Sequence, residues 1–273
     1  MRILRRLGRA ALLTYRENGF AIAKGAAYSS LLALFPVITT LASILVRVQA
    51  KSISELLSKI VLRVVPPGSE GLVLYAFAER GERPWEVLLL AGIVTLWGAS
   101  GIMLSLMEGF NRIYGVSGRP FLHQRLMAAF LVIASVAPVV CGTAVILFGG
   151  RTEAIFTRLL GAPPVAVGRP LRAVVSVACI LLVTCLLYYL GPNRKQKWTQ
   201  VWRGAVVAMV LWLGSMVGFG WYVRNIAGYN VLYGSISAVI ALLVWMYVLA
   251  VIALFGCAFN AVWERSRART RSA

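Results

Sequence analysis

Glu108, Asn111 and Arg112 form the densest polar group in this chain, at the end of a long apolar run. Glu108 stands one helical turn before Arg112, the favourable order for an ion pair, and Asn111 places an amide beside them. At 100° per residue, Trp97, Gly101, Ser105, Glu108 and Arg112 share one side of a helix, and Gly101, Ser105 and Gly109 repeat a small residue every fourth position. The chemistry on offer is contact with an ion or an anionic headgroup; the structural alternative is a helix-end cap with its ion pair. Asn260 and Glu264 make a second group, an amide that needs partners and an acid whose candidate partners are Arg112 and Arg203. A third feature is a stripe of small and hydroxyl-bearing residues, Gly25, Ser29, Ala33, Pro36, Thr40 and Ser43, within roughly 40° of one line on the helical turn. Leu31, Leu34, Ile38, Leu41 and Leu45 occupy the opposite side. The stripe reads either as a helix-packing seam or as part of a substrate path, with the leucine side toward lipid and Pro36 kinking the helix.

Hydrolytic chemistry has little to work with. It usually needs carboxylates and histidines that hold a metal, or an equivalent base and nucleophile. All nine acids here are Glu, scattered along the chain, and the one histidine, His123, lies in a basic stretch read as a solvated loop. The four cysteines, Cys141, Cys179, Cys185 and Cys257, fall inside apolar runs without a C-x-x-C pair and read as packing residues, not as a disulfide or zinc site. We therefore read the chain as not an enzyme, with no catalytic, cofactor-binding or metal-binding residues and no nucleic-acid partner.

The elements that must position these groups follow from composition. Of 273 residues, 60% are hydrophobic and only 14% charged, with a mean hydropathy of +0.80 and a net charge of +19. Soluble domains carry about 25% charged residues, so disorder and a conventional soluble enzyme are excluded and an integral membrane protein is expected. Crossing the hydrocarbon takes roughly 20 apolar helical residues. The uncharged runs supply six such spans: 25–46, 87–107, 126–150, 173–193, 204–223 and 233–263. The last begins after Asn225, Gly228 and Asn230, which read as a turn. The runs are continuously apolar, which fits helices and not the alternating strands of a barrel. The expected fold is thus all-α, a single polytopic domain over 1–273.

Six spans put both termini on one side. That side would hold Arg2, Arg5, Arg6, Arg9, Arg16 and Lys24, then Arg112, Arg119 and Arg125, then Arg194, Lys195, Lys197 and Arg203, then Arg265, Arg267, Arg269 and Arg271, a net charge of +14 against +5 on the other side. The positive-inside rule places it in the cytoplasm. Trp85, Trp198, Trp202, Trp221 and Trp263 fall at span ends, where indole rings favour the headgroup level, while Trp97, Trp212 and Trp245 read as packing within the bundle. Gly214 and Gly218 form a helix-contact motif in the fifth span.

Two segments flank the spans. Residues 1–24 interleave Arg2, Arg5, Arg6 and Arg9 with Ile3, Leu4, Leu7, Ala10, Ala11 and Tyr15 at helical spacing, the pattern of a basic helix lying in the inner interface against anionic phospholipid. Residues 47–86 carry a capping box at Ser52 and Glu55, an apolar run to Val65, a break at Pro66, Pro67 and Gly68, and a second amphipathic stretch over 69–80. They read as amphipathic helices on the outer face, a candidate lid.

Three stretches carry a family resemblance: Gly25-Ala-Ala-Tyr-Ser-Ser-Leu-Leu-Ala-Leu-Phe-Pro36; Leu96-Trp-Gly-Ala-Ser-Gly101 leading into Glu108-Gly-Phe-Asn-Arg-Ile-Tyr-Gly115; and Tyr233-Gly-Ser-Ile-Ser-Ala-Val-Ile240 continuing to Asn260-Ala-Val-Trp-Glu264. On these residues the sequence resembles the YihY/BrkB family of bacterial inner-membrane proteins over nearly its whole length. The resemblance implies six membrane helices with cytoplasmic termini in the bacterial inner membrane. It also brings a virulence or serum-resistance label, an old ribonuclease label and suggestions of transport, including of lipid-linked envelope material. One departure is Phe110, where a polar or acidic residue is expected before Asn111.

Three functions are weighed. The first is a transporter or flippase-like protein for an anionic, lipid-linked or small envelope-related substrate. Its path would be lined by Tyr28, Ser29, Ser30, Pro36, Thr40, Trp97 and Ser105, with Glu108, Asn111, Arg112, Asn260 and Glu264 at the inner mouth. The second is a non-transporting membrane scaffold for envelope assembly or resistance. The third and last is a membrane-bound nuclease. The expected partners are the bilayer with its anionic phospholipid, an ion or anionic lipid as substrate, and a second copy of the chain.

Overall fold

The computed structural model describes residues 2–47, 85–160, 164–225 and 236–271, and these are helical throughout apart from short connections. Seven helices follow one another among them: α1 (Arg2–Arg16), α2 (Gly19–Arg47), α3 (Trp85–Tyr114), α4 (Phe121–Leu160), α5 (Pro164–Leu190), α6 (Trp198–Asn225) and α7 (Ile236–Arg271). The expected outer-face helices and lid of 47–86 lie outside the described residues except at the ends of α2 and α3, and so does the expected turn at 225–230 except for Asn225, which ends α6.

Six of the helices, α2 to α7, are long and apolar enough to cross a membrane. Each has at least 27 residues, and α4 reaches 40. The protein is an all-helical membrane protein. Leu32, Leu90, Ile93, Ile133, Val136, Val174, Val217 and many similar side chains are exposed, a surface that only a hydrocarbon solvent makes favourable.

The helices outrun the uncharged stretches that announce them. α2 begins at Gly19, before Lys24; α4 begins at Phe121 and takes in His123 and Arg125; α7 continues past Trp263 to Arg271. A charge ends an apolar run, but Arg, Lys and Glu are good helix formers and do not end a helix. His123 accordingly sits exposed in the first turn of α4 and not in a loop.

Where helices do stop, the reason is local. Asn18 has φ 56° between α1 and α2, a left-handed conformation that Asn tolerates better than most residues, and its carbonyl accepts from Ala21 and Ile22 to start α2. Gly115, φ 68°, ends α3: its N–H donates to the Arg112 carbonyl and the Val116 N–H to the Asn111 carbonyl, the paired bonds of a Schellman motif.

The chain divides into two compact units. The first comprises Met1–Glu17, Phe110–Val210 and Phe255–Ala273; the second comprises Asn18–Gly109 and Leu211–Leu254. In the first, α4 and α5 pack along each other, and Gly142 of α4 lies against Cys179 of α5. α6 meets α7 at Gly204 and Gly256, so closely that a Cβ on Gly204 would run into the Gly256 carbonyl and the Asn260 amide. In the second unit the seam is α2 on α3. A methyl group added at Gly98 would stand 3.5 Å from Ala33, one at Gly101 3.6 Å from Ser29, and one at Gly25 3.7 Å from Ser105. The small stripe of α2 therefore faces α3. At Gly214 and Gly218 an added Cβ would meet nothing among the described residues, so the helix-contact motif expected there makes no helix contact among them. The close approach is at Gly204 and Gly256 instead.

Candidate functional site

The first unit collects its polar side chains where α3 and α5 end and α6 begins. Every α-helix leaves its last four carbonyls without intrahelical partners, and α5 shows where those four go. The Leu187 carbonyl accepts from the Gly191 N–H at 2.9 Å. Gln196 Nε2 donates to the carbonyls of Tyr188 and Tyr189, the latter at 3.1 Å. Arg119 Nη2 donates to the Leu190 carbonyl at 3.0 Å. The same guanidinium reaches Gly191 at 2.8 Å and Pro192 at 3.0 Å. Burial pulls Arg119 below its ordinary pKa; the carbonyl acceptors oppose that by favouring the charged form.

The end of α3 is tied down in the same way. Asn111 is buried, and its Oδ1 accepts from the Asn193 N–H at 2.7 Å, while Asn193 Nδ2 donates to the Ser117 carbonyl. Arg265 donates to the Ile113 carbonyl at 3.1 Å. Phe110 is fully buried, edge-on to Tyr188 with centroids 5.6 Å apart, and fills the space that Gly191 leaves by lacking a side chain. That gives the departure at Phe110 a packing reason.

Beside this knot lies a cavity of about 610 Å³, lined by Lys197, Thr199, Gln200, Trp202, Arg203, Asn260, Trp263, Glu264 and Arg267. Asn260, the buried amide, bridges two helices: its Oδ1 accepts from the Gly204 N–H at 2.6 Å and its Nδ2 donates to the Val201 carbonyl at 2.9 Å. Among the described residues Glu264 is the only acid on the wall. Its expected partners were Arg112 or Arg203; it pairs with Arg194 at 2.6 Å. Arg194 comes from the α5–α6 connection and also lies over the Tyr114 ring, 4.4 Å from its centroid. Arg203 instead stacks near two indoles, 5.3 Å from the Trp202 centroid and 4.9 Å from that of Trp263. Sequence distance hid this pairing, because the connection that delivers Arg194 is fixed by Asn111 and Arg119, residues some 80 positions upstream.

Arg6 of α1 sits over the same Trp263 ring at 3.9 Å. α1 presents three sides. Ala10 and Thr14 are buried, with the Thr14 hydroxyl donating to the Ala10 carbonyl. Leu4, Ala11 and Tyr15 are exposed on a second side, and Arg5, Arg9 and Arg16 are exposed on a third. Along the apolar face of α1, Ala10 is thus turned to protein while Leu4, Ala11 and Tyr15 beside it are exposed.

The remaining expected residues lie in the second unit, apart from Arg112, which is exposed in the first. Thr40 and Thr95 share a 2.7 Å hydrogen bond, and the Thr95 hydroxyl also donates to the Pro36 carbonyl at 2.8 Å. α2 runs unbroken through Pro36. Ser30 and Ser105 donate to the Ala26 and Gly101 carbonyls, within their own helices. Ser29 faces Gly101. Tyr28, Trp97 and Glu108 are exposed. Trp245 does pack, 4.8 Å from Phe219. Among the described residues no three His, Cys or acidic side chains converge.

The sequence profile of the family described as Virulence factor BrkB matches residues 14–273. The chain belongs to the BrkB family. Among similar BrkB-family proteins, one from Bacillus subtilis is 32% identical over 184 residues, covering 66% of this chain and 67% of its own; its name, YfkH, carries the words "ribonuclease-like". A UPF0761 membrane protein of Chromobacterium violaceum is 30% identical over 251 residues, covering 90% of this chain and 59% of its own. Another, from Aromatoleum aromaticum, is 26% identical over 252 residues, covering 90% and 61%. This BrkB chain therefore spans about six-tenths of the length of the two UPF0761 relatives. No solved structure gives a significant match to it.

Proposed function

We propose that the protein is a transporter or flippase-like protein that moves an anionic substrate, lipid-linked or small, across a bacterial inner membrane. The observation that carries this reading is the 610 Å³ cavity with Lys197, Arg203 and Arg267 on its wall and a single acid, Glu264, already engaged by Arg194. Its size suits a small ligand, and the excess of basic over acidic side chains in its described lining suits an anion. In this reading the cavity is the inner mouth, Asn260 and Glu264 shape it, and Asn111 holds the connection that carries Arg194. Arg112, exposed in the same unit, adds to its positive charge.

The excess of basic residues on the side of the membrane that would hold both termini favours a cytoplasmic position for the cavity. α1 lies in the interface there, Leu4, Ala11 and Tyr15 toward acyl chains and Arg5, Arg9 and Arg16 toward anionic headgroups.

The test is reconstitution of the full chain into liposomes, scoring transbilayer movement of labelled phosphatidylglycerol and efflux of small anions under imposed proton and sodium gradients. Movement of either class that falls about tenfold in Arg203→Gln supports the reading. No movement of any anionic lipid or solute under any gradient overturns it.

A further inference from the structure

We infer that the cavity is a binding site for a phosphate group, and specifically for the phosphate of an anionic membrane lipid. This rests on the proposed transport role for its purpose, though not for whether binding occurs. The first argument is an accounting of cations. Arg119, Arg194 and Arg265 are engaged by carbonyls or by Glu264. Lys197, Arg203 and Arg267 are left on the cavity wall, with Arg6 close by over the Trp263 ring. Indole rings hold a guanidinium in place through the ring quadrupole but carry no net charge, so Arg6 and Arg203 repel one another around one ring. An anion in the cavity relieves that repulsion.

The second argument concerns the donors. A phosphate offers several oxygens at once, which suits guanidinium forks together with an ammonium. α6, a helix of 28 residues, brings its first turn to the wall through Thr199 and Gln200. Gln200 Oε1 caps the Lys197 N–H at 2.9 Å and the Gln200 N–H donates to the Lys197 carbonyl at 2.9 Å, while the Lys197 side chain at the cap position has no acceptor to offer the Trp198 and Thr199 amides. The positive end of the helix thus adds to the side-chain charge. The third argument chooses the source of the phosphate. A free ion would fill a small part of 610 Å³, and Trp202 and Trp263 make part of the wall apolar, which suits the glycerol and first acyl carbons of a lipid.

Titration of the purified full chain with dioctanoyl-phosphatidylglycerol, dioctanoyl-phosphatidylcholine and inorganic phosphate, read by tryptophan fluorescence and native mass spectrometry, tests the site. Saturable binding of phosphatidylglycerol is expected, tighter than that of phosphatidylcholine or inorganic phosphate. Lys197→Gln and Arg267→Gln, both exposed side chains whose loss leaves packing intact, should each weaken it about tenfold. Lys195→Gln, which removes the same charge two residues from Lys197, should leave it unchanged. Inorganic phosphate binding as tightly as the lipid would overturn the lipid assignment. Absence of saturable binding, or equal weakening by Lys195→Gln, would overturn the site. Lipid binding without transport in liposomes would sink the transport reading alone, and anion transport without lipid binding would sink only this inference.

Discussion

The two units of this BrkB chain solve the same problem, joining helices where water cannot drive them together, with opposite chemistries. The second unit uses absence: Gly98 against Ala33, Gly101 against Ser29 and Gly25 against Ser105 bring α2 and α3 close, and two threonines add hydrogen bonds. The first unit uses long charged and amide side chains that reach free carbonyls, with Arg119 and Gln196 on the end of α5, Arg265 on α3 and Asn260 on α6. Small residues work in the middle of a helix, where every backbone group is already paired and only close contact remains to be gained. Arginine and amides work at helix ends, where carbonyls are still looking for donors.

The contrast can be broken most forcefully where the first unit borrows the device of the second. Gly204→Leu should destabilise the protein by about 3 kcal/mol, because its side chain would enter the space of the Gly256 carbonyl and Asn260. Gly218→Leu should stay within about 0.5 kcal/mol. Thermal melting in detergent decides, and equal losses would show that glycine spacing along one helix matters more than the contact between helices. Arg119→Ala comes next, at about 2 kcal/mol, since it strips charge-assisted bonds from three carbonyls. Arg119→Lys should recover only part, because one ammonium cannot reproduce the fork. Full recovery by lysine, in the same melting experiment, would reduce Arg119 to a charge at a helix end. The smallest effect belongs to the seam. Thr95→Val should cost about 0.6 kcal/mol, with the α2–α3 contact preserved by Ala33 and the facing glycines. A loss as large as that of Arg119→Ala would mean that hydroxyls, not close approach, hold the seam.

How much of this could be read beforehand depends on the distance over which each feature is encoded. The α2 seam was legible because Ser29, Ala33, Pro36 and Thr40 follow one helical period, and period alone places them on a common line. Of its partner residues, Gly101 stands out only in a series on its own helix with Ser105 and Gly109, and Gly98 does not stand out at all. The Gly204–Gly256 contact went unseen, although Gly204 and Ala208 are spaced as a small pair, because a spacing rule examines one helix and the contact needs two. The sequence marks Glu264 as an acid in want of a base but does not mark Arg194 as its partner, since a connection of unknown path carries it. Arg119 counted only as one more positive charge.

Six membrane helices and the excess of positive charge toward the termini were determined by the amino-acid sequence itself, because hydrophobic length and charge are sums over neighbouring residues. Which arginines serve as helix-end donors and which stand on a cavity wall was decided only by tertiary structure. The reason is that a guanidinium takes whatever carbonyl, carboxylate or ring the fold brings within reach. Arg119 and Arg203 are chemically identical; one met the open end of α5, the other met two indole rings.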